Sequence, residues 1–217
     1  MNLLGTPNIG VYALTTNDYA IVPQDTTERK ARIIEACLQG QIIRINIGGT
    51  RLSGVLSAAN SKGIVLPKFA SDEDIRTIKS VLSVNVGRIE SRITAFGNLV
   101  LANDRGGIVS KILAKEKTVL KKVEDILDVE LIPGEIAGLP YVGSLAVATN
   151  KGVLAHPMLK DEERELLQQM LKVRIDVGTT NGGCPFVASG ILANDNGVLI
   201  GNLTTGPEIL MISNVLE

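Results

Sequence analysis

Short aliphatic runs separated by tight polar turns recur along the whole chain. The clearest turns are Leu101-Ala102-Asn103-Asp104-Arg105-Gly106 and Leu192-Ala193-Asn194-Asp195-Asn196-Gly197, each followed by a new apolar run. Asn, Asp and Gly between two aliphatic runs predict a hairpin, because these residues tolerate the positive φ that the turn needs. Three similar turns begin at Asn17, Asn60 and Asn150, so successive Asn residues are 43, 43, 47 and 44 positions apart. A near-constant period of this size signals a repeat architecture.

The second copy serves as template. Residues 54–59 predict a strand, Asn60 to Gly63 a turn, and residues 64–66 the returning strand, which Pro67 stops for want of an N–H. Ser71 followed by Asp74 predicts a capped helix, with Ile75, Ile78 and Leu82 on its apolar face. Residues 83–86 predict a third strand, and Gly87 opens a loop. The other helices carry Ile33, Ile34, Cys37 and Leu38; Val119, Leu120, Val123, Ile126 and Leu127; and Leu166, Leu167, Met170 and Leu171. Their third strands are expected at 42–47, 129–132 and 173–177. The fifth helix begins at Gly206-Pro207-Glu208, with proline in the permitted first turn, and runs to about Val215.

The repeats therefore span about 9–50, 52–93, 95–138, 141–182 and 186–217, as one domain over 1–217. The last lacks a third strand. Residues 1–6 look like the end of the other third strands, as at 45–50, and are expected to complete the fifth sheet. Joining the ends in this way limits the exposed sheet edges of an open array. The resulting fold is α/β, five pseudosymmetric strand-strand-helix-strand repeats in a closed ring. A right-handed crossover from second to third strand puts the Asn turns on one face. The inter-repeat loops at 5–8, 48–51, 87–92, 133–138 and 178–184 fall on the other, with the bends at Pro23, Pro67, Lys111, His156 and Gly201.

Composition narrows the chemistry. Hydrophobic residues make up 45% of the chain but aromatics only 3%, so the core is aliphatic. Net charge is −1, which lacks the global basic bias of most nucleic-acid binders. Lys111, Lys115, Lys117, Lys121 and Lys122 form the densest basic group and lie opposite the third helix's apolar stripe, as a solvated exterior does. No apolar run approaches the ~20 residues that span a bilayer, and Asn2 and Gly5 interrupt the one candidate leader. Two cysteines do not make a disulfide scaffold, so a reducing cytoplasm is expected. No metal-ligand spacing accompanies Asp18, Asp104 and Asp195.

A five-fold ring of this order resembles the pentein fold. The run Ile93-Thr94-Ala95-Phe96-Gly97-Asn98, with Ile9-Gly10-Val11, Tyr141-Val142-Gly143-Ser144 and the Asn194-Asp195 turn, resembles the initiation factor six family of translation factors, in its archaeal form. The resemblance covers essentially the whole chain. It implies a monomeric cytoplasmic protein, with no cofactor, that binds the large (50S) ribosomal subunit and prevents its association with the small (30S) subunit. The implied partners are the ribosomal proteins numbered fourteen and twenty-four and the sarcin–ricin loop of rRNA. Asn98 matches a position of the family's contact surface and is expected just after an inter-repeat loop. Arg92, Arg88, Arg51, Glu90, Asn8 and Asn181 share the inferred face. Read by themselves, Asn98 satisfies a local backbone group and the arginines form surface ion pairs of small value.

Two other readings stand beside this one. Other penteins are hydrolases or transferases of guanidino groups in which a thiolate attacks carbon and His moves protons. Cys184 and His156 fall on the same predicted face, although no local signature of those enzymes surrounds either. A generic protein-interaction module would share the ring and bind some other partner.

Overall fold

The computed structural model describes residues 1–217. Its strands form five small sheets, one per repeat, and each repeat is here called a blade. Blade one holds β1 (Leu14–Thr15), β2 (Tyr19–Val22) and β3 (Gln41–Arg44); blade two β4 (Ala58–Ala59), β5 (Gly63–Pro67) and β6 (Asn85–Ile89). Blade three holds β7 (Val100–Ala102), β8 (Gly107–Ser110) and β9 (Leu131–Gly134); blade four β10 (Ala146–Ala148), β11 (Gly152–Ala155) and β12 (Arg174–Val177). Blade five has β13 (Ile191–Ala193) and β14 (Val198–Ile200). First and second strands pair antiparallel, second and third parallel. Between the parallel strands run the helices Glu28–Leu38, Asp72–Val81, Lys117–Leu127 and Asp161–Leu171, with Gly206–Leu216 following β14.

The apolar clusters lie between blades. Leu14, Tyr19 and Ile21 of blade one pack with Ile64, Leu66 and Ile78 of blade two. Val65 packs with Val109, Val123 and Leu127, Ile108 with Val153 and Leu167, and Leu154 with Ile191 and Ile212. The remaining cluster joins the two ends of the chain: Leu192 of blade five lies with Ile9, Ile34 and Leu38 of blade one and with Leu3. The innermost strands likewise touch in a circle, β1 to β4, β7, β10, β13 and back to β1.

Several expectations need correction. Residues 53–56 are a short helical turn, Ser53–Leu56, and only Ala58–Ala59 are extended. The reason is close packing at the ring axis, where each blade has such a turn. A Cβ on Gly54 would lie 1.9 Å from the Gly10 carbonyl oxygen, one on Gly97 1.9 Å from that of Gly54, and one on Gly143 2.0 Å from that of Gly97. Backbone therefore rests on backbone, and the curled turn brings it there. Gly87 and Arg88 belong to β6 and not to a loop. Ile33 is exposed, whereas Ala31, Ile34 and Leu38 are buried. Residues 1–6 are not a strand. The Met1 ammonium donates to the Ile200 carbonyl at 2.6 Å and Asn202 N–H to that of Met1 at 2.8 Å, after which Leu3 and Thr6 exchange backbone bonds in a tight turn. Ile136 and Leu139 make the same turn after β9, so Met1 alone occupies the third-strand place in blade five.

The hairpin turns carry a second correction. Asn60 Oδ1 accepts the N–H groups of Lys62 and Gly63, both at 3.0 Å, while its Nδ2 donates to the carbonyls of Asn103 (3.3 Å) and Leu127 (2.8 Å) in blade three. Asn103 and Asn194 repeat this pattern toward blades four and one. In blades one and four the equivalent residues are Thr16 and Thr149, whose hydroxyls accept the same two turn N–H groups. Asn17 and Asn150 are thus one place further on, equivalent to Ser61, Asp104 and Asp195. These second-position side chains meet at the axis. Asp104 Oδ1 accepts Ser61 N–H (2.8 Å), Asn150 Oδ1 accepts Asp104 N–H (3.1 Å), Asp195 Oδ1 accepts Asn150 N–H (2.8 Å) and Asn17 Oδ1 accepts Asp195 N–H (2.9 Å). Ser61 is too short to receive Asn17 in turn. We expect Ser61→Asn to supply the missing link, adding roughly 1 kcal/mol and raising Tm by about 2–4 °C, checked by thermal melting.

Acids three residues into the helices staple neighbouring blades on the opposite face. Asp74 completes a capping box with Ser71 and also accepts Gly48 N–H at 2.8 Å. Glu163 accepts the N–H groups of Ala137 and Gly138 (2.7 and 2.8 Å), and Glu208 those of Gly182 and Gly183 (3.1 and 2.8 Å). At the seam of blades two and three, Glu116 takes the Ser91 hydroxyl instead. Burial opposes ionisation of Glu208, yet hydrogen bonds from Thr205, Thr179, Gly183 and Gly182 outweigh it and hold the carboxyl at about 2, against 4.5 ordinarily. A depressed folded-state pKa stabilises the fold above the unfolded value, and the contribution is lost as pH falls through the folded one. Glu208 should therefore contribute up to about 3 kcal/mol at neutral pH, lost between about pH 4.5 and 2. Glu208→Gln should flatten the stability–pH curve in that window, as measured by denaturant titration.

Candidate functional site

The first strand of each blade runs from the helical turns to the hairpin turns, so the helical turns, inter-blade loops and strand-to-helix bends share one face, here the loop face. At its centre the helical turns surround a dish of about 270 Å³ lined by Val11, Val55, Asn98, Ser144, Phe186 and Ser189 above the axial glycines. Asn98 lies within the turn Phe96–Leu99 and not at a loop-to-strand junction. Its backbone N–H donates to the Ala95 carbonyl at 3.1 Å, and its side chain has no hydrogen bond inside the protein.

The other candidate residues divide into engaged and free. Arg88 donates to the Ala70 carbonyl (2.9 Å) and Asp72 (2.8 Å) at the start of its blade's helix. Arg44, its equivalent in blade one, does the same with Thr26 and Glu28, and the Arg44 hydrogen bond holds the Glu28 carboxyl below its ordinary range. Arg88 is thus committed to a repeated structural contact. Arg51 pairs with Asp25 at 2.9 Å. Asn181, at φ +51°, donates to the Pro7 carbonyl at 3.2 Å and reaches Asn8 Oδ1 at 3.5 Å, which brings these two candidates together across the seam of blades four, five and one. Glu90 and Arg92 are exposed and belong to no ion pair, as the chain leads into the turn that carries Asn98.

Sequence reasoning missed the apolar side chains. Two places before Gly10, Gly54, Gly97, Gly143 and Ala188 stand Asn8, Leu52, Ala95, Tyr141 and Phe186, and the three large ones are 37%, 46% and 42% exposed. A second set, Phe69, Ile112, Met158 and Leu203, stands at the strand-to-helix bends. With Leu139, eight of the thirteen exposed large apolar residues are on the loop face, and none is among the hairpin turns. Aligning the five axial positions would have found the inner set. Such a concentration marks an interaction surface, and aromatic residues are the usual anchors of one.

The proposed nucleophile pair has no such support. His156 Nδ1 accepts Met158 N–H at 3.0 Å, and burial lowers the pKa of its ring against the pull of Glu163. The Cys184 thiol lies 3.8 Å from Ser189 Oγ and 4.0 Å from the Phe186 carbonyl. Neither side chain has the other among its polar partners. Cys37 is half-buried against the Val198 carbonyl, and burial raises its thiol pKa.

A circle of strand-strand-helix-strand blades defines a pentein-type α/β propeller. Among solved structures, a mutant DDAH from Pseudomonas aeruginosa complexed with citrulline is similar at a TM-score of 0.50 and 17% identity, over 78% of this chain and 68% of that one; the likeness shows the fold alone. The chain belongs to the eIF-6 family, whose model matches residues 1–215. It is 43% identical to translation initiation factor 6 of Methanocaldococcus jannaschii over 98% of this chain and 94% of the relative. It is 41% identical to that of Thermococcus onnurineus (97% and 94%) and 37% identical to that of Staphylothermus marinus (100% and 96%). The family is one of initiation factors, not of enzymes. Incubation with arginine or agmatine should accordingly give no turnover that Cys184→Ser abolishes, as followed by product chromatography.

Proposed function

We propose that this protein acts in translation in the cytoplasm, binding the large (50S) ribosomal subunit as a monomer and keeping the small (30S) subunit from joining. The observation that carries the reading is the apolar loop face, with Tyr141, Phe186 and Leu52 around an unpartnered Asn98. A stiff ring presents these groups with little ordering cost on binding. The family of the chain directs the reading to the ribosome, and a net charge of −1 favours protein contacts over a broad RNA footprint. The proteins numbered fourteen and twenty-four and the sarcin–ricin loop are the partners we assign, with Asn98, Arg92, Glu90, Asn8 and Asn181 in the contact and Arg51 at its edge. Arg88 supports the surface from within. No helix is long and apolar enough to cross a membrane.

Sedimentation tests the proposal. Mixed with purified subunits at joining concentrations of magnesium, the protein should migrate with the large subunit and diminish the joined peak. Phe186→Asp, which places a charge at an exposed anchor, should weaken co-migration by about tenfold or more while leaving the melting temperature near that of the parent. Asn98→Ala should weaken it less. Absence of co-migration at micromolar protein would reject the reading.

A further inference from the structure

The staples on the loop face have one vacancy. After β3 and β9 the chain places two consecutive residues at positive φ, Gly48 and Gly49 (59° and 75°) and Ala137 and Gly138 (55° and 72°), and after β12 three, Asn181, Gly182 and Gly183 (51°, 79° and 105°). Successive N–H groups in this conformation form a concave anion site. A carboxylate three residues into the next blade's helix accepts from each: Asp74 from Gly48, Glu163 from Ala137 and Gly138, and Glu208 from Gly182 and Gly183. Each acid also accepts the N–H of its own helix-capping residue, Ser71, Lys160 or Thr205.

Leu4 and Gly5 adopt the same conformation, at φ 50° and 81°, in the same four-residue turn. The next helix, Glu28–Leu38, has Thr27 at its N-cap position, with no capping bond from its side chain, and Lys30 where the acid would stand. The N–H groups of Leu4, Gly5 and Thr27, the counterparts of the three that Glu163 binds, have no acceptor in the protein. Nor has Thr26 Oγ1, in a residue only 5% exposed. Its counterpart Thr204 Oγ1 points at the neighbouring loop, accepting Asn181 N–H at 3.2 Å and donating to the Asn181 amide oxygen at 3.3 Å.

We infer that the seam between blades five and one is a binding site for a carboxylate from outside the chain, held by the N–H groups of Leu4, Gly5 and Thr27 with Lys30 beside it. Three N–H donors match a single carboxylate, as they do at Glu163, and Lys30 adds a cation. Asp25 and Glu28 stand nearby, engaged by Arg51, Arg44 and Arg32, and they disfavour a more highly charged phosphate. The inference concerns the isolated protein and holds whatever the loop face binds.

Amide NMR on the free protein tests it, titrating acetate and inorganic phosphate separately at matched ionic strength. Acetate should shift the Leu4, Gly5 and Thr27 amides saturably and together. Lys30→Glu should fill the place with the chain's own carboxylate, abolish that response and raise Tm by a few degrees. If that variant fails to fold, Thr27→Pro serves: φ is already −64° there, proline fits it, and the lost N–H had no partner, so the acetate response should weaken. Absence of a saturable acetate shift in the unsubstituted protein, a response to phosphate alone, or an undiminished response in the variant used would overturn the inference.

Discussion

No blade encloses its own hydrophobic core, and the rest of the structure follows from that. A three-stranded sheet with one helix has too little area to bury both faces, so Ile64 and Leu66 are covered only because Tyr19 and Ile21 come from the blade before. Burial at about 25 cal/mol per Å² of apolar surface is thus gained at seams. An open row of blades would leave one seam unmade at each end; the cluster of Leu3, Ile9, Ile34, Leu38 and Leu192 makes it. Repeat proteins generally draw stability from such neighbour interfaces. Here the contacts run round a circle and need no capping repeat.

The two faces divide the labour of holding these seams. On the hairpin face the side chains are spent inward: Asn60, Asn103 and Asn194 satisfy a neighbour's last helical carbonyl, and the second-position groups bind one another at the axis. Little there is left to recognise a partner. On the loop face the carboxylate staples tie the inter-blade loops to the starts of the helices. The central dish and the strand-to-helix bends are free, and there large apolar side chains sit exposed. The ring's stiffness and the availability of that face come from the same arrangement.

Much of this was readable along the chain. Apolar period, turn chemistry and the capping pair Ser71 and Asp74 defined five strand-strand-helix-strand units, because local backbone demands of this kind are written in local residues. The reading slipped where a tertiary contact overrode the local pattern. Residues 54–56 look extended, yet the axial approach of Gly54 to the Gly10 carbonyl curls them. Thr16 does the work of Asn in its turn, so the Asn spacing puts Asn17 one place out of register. At the candidate site Asn98 was marked by resemblance, not by chemistry. Tyr141 and Phe186 went unnoticed because a single aromatic beside a loop gives no sign of its exposure until the five copies are superimposed.

Superposition also separates what the ring requires from what it merely carries. Where the copies agree, the residue answers a demand of the fold: a glycine or alanine at the axis, Asn or Thr opening the hairpin, an acid beneath a left-handed loop, arginine at positions 44 and 88. Where they differ without structural need, the fold leaves the choice open. Asn98 has Val11, Val55, Ser144 and Ser189 as counterparts, and nothing in the protein uses its amide. Lys30 departs from the acid found at positions 74, 163 and 208 and leaves the N–H groups of Leu4, Gly5 and Thr27 without an acceptor in the protein. Both departures are on the loop face, and a recognition surface grafted onto a symmetric scaffold differs from its scaffold in this way.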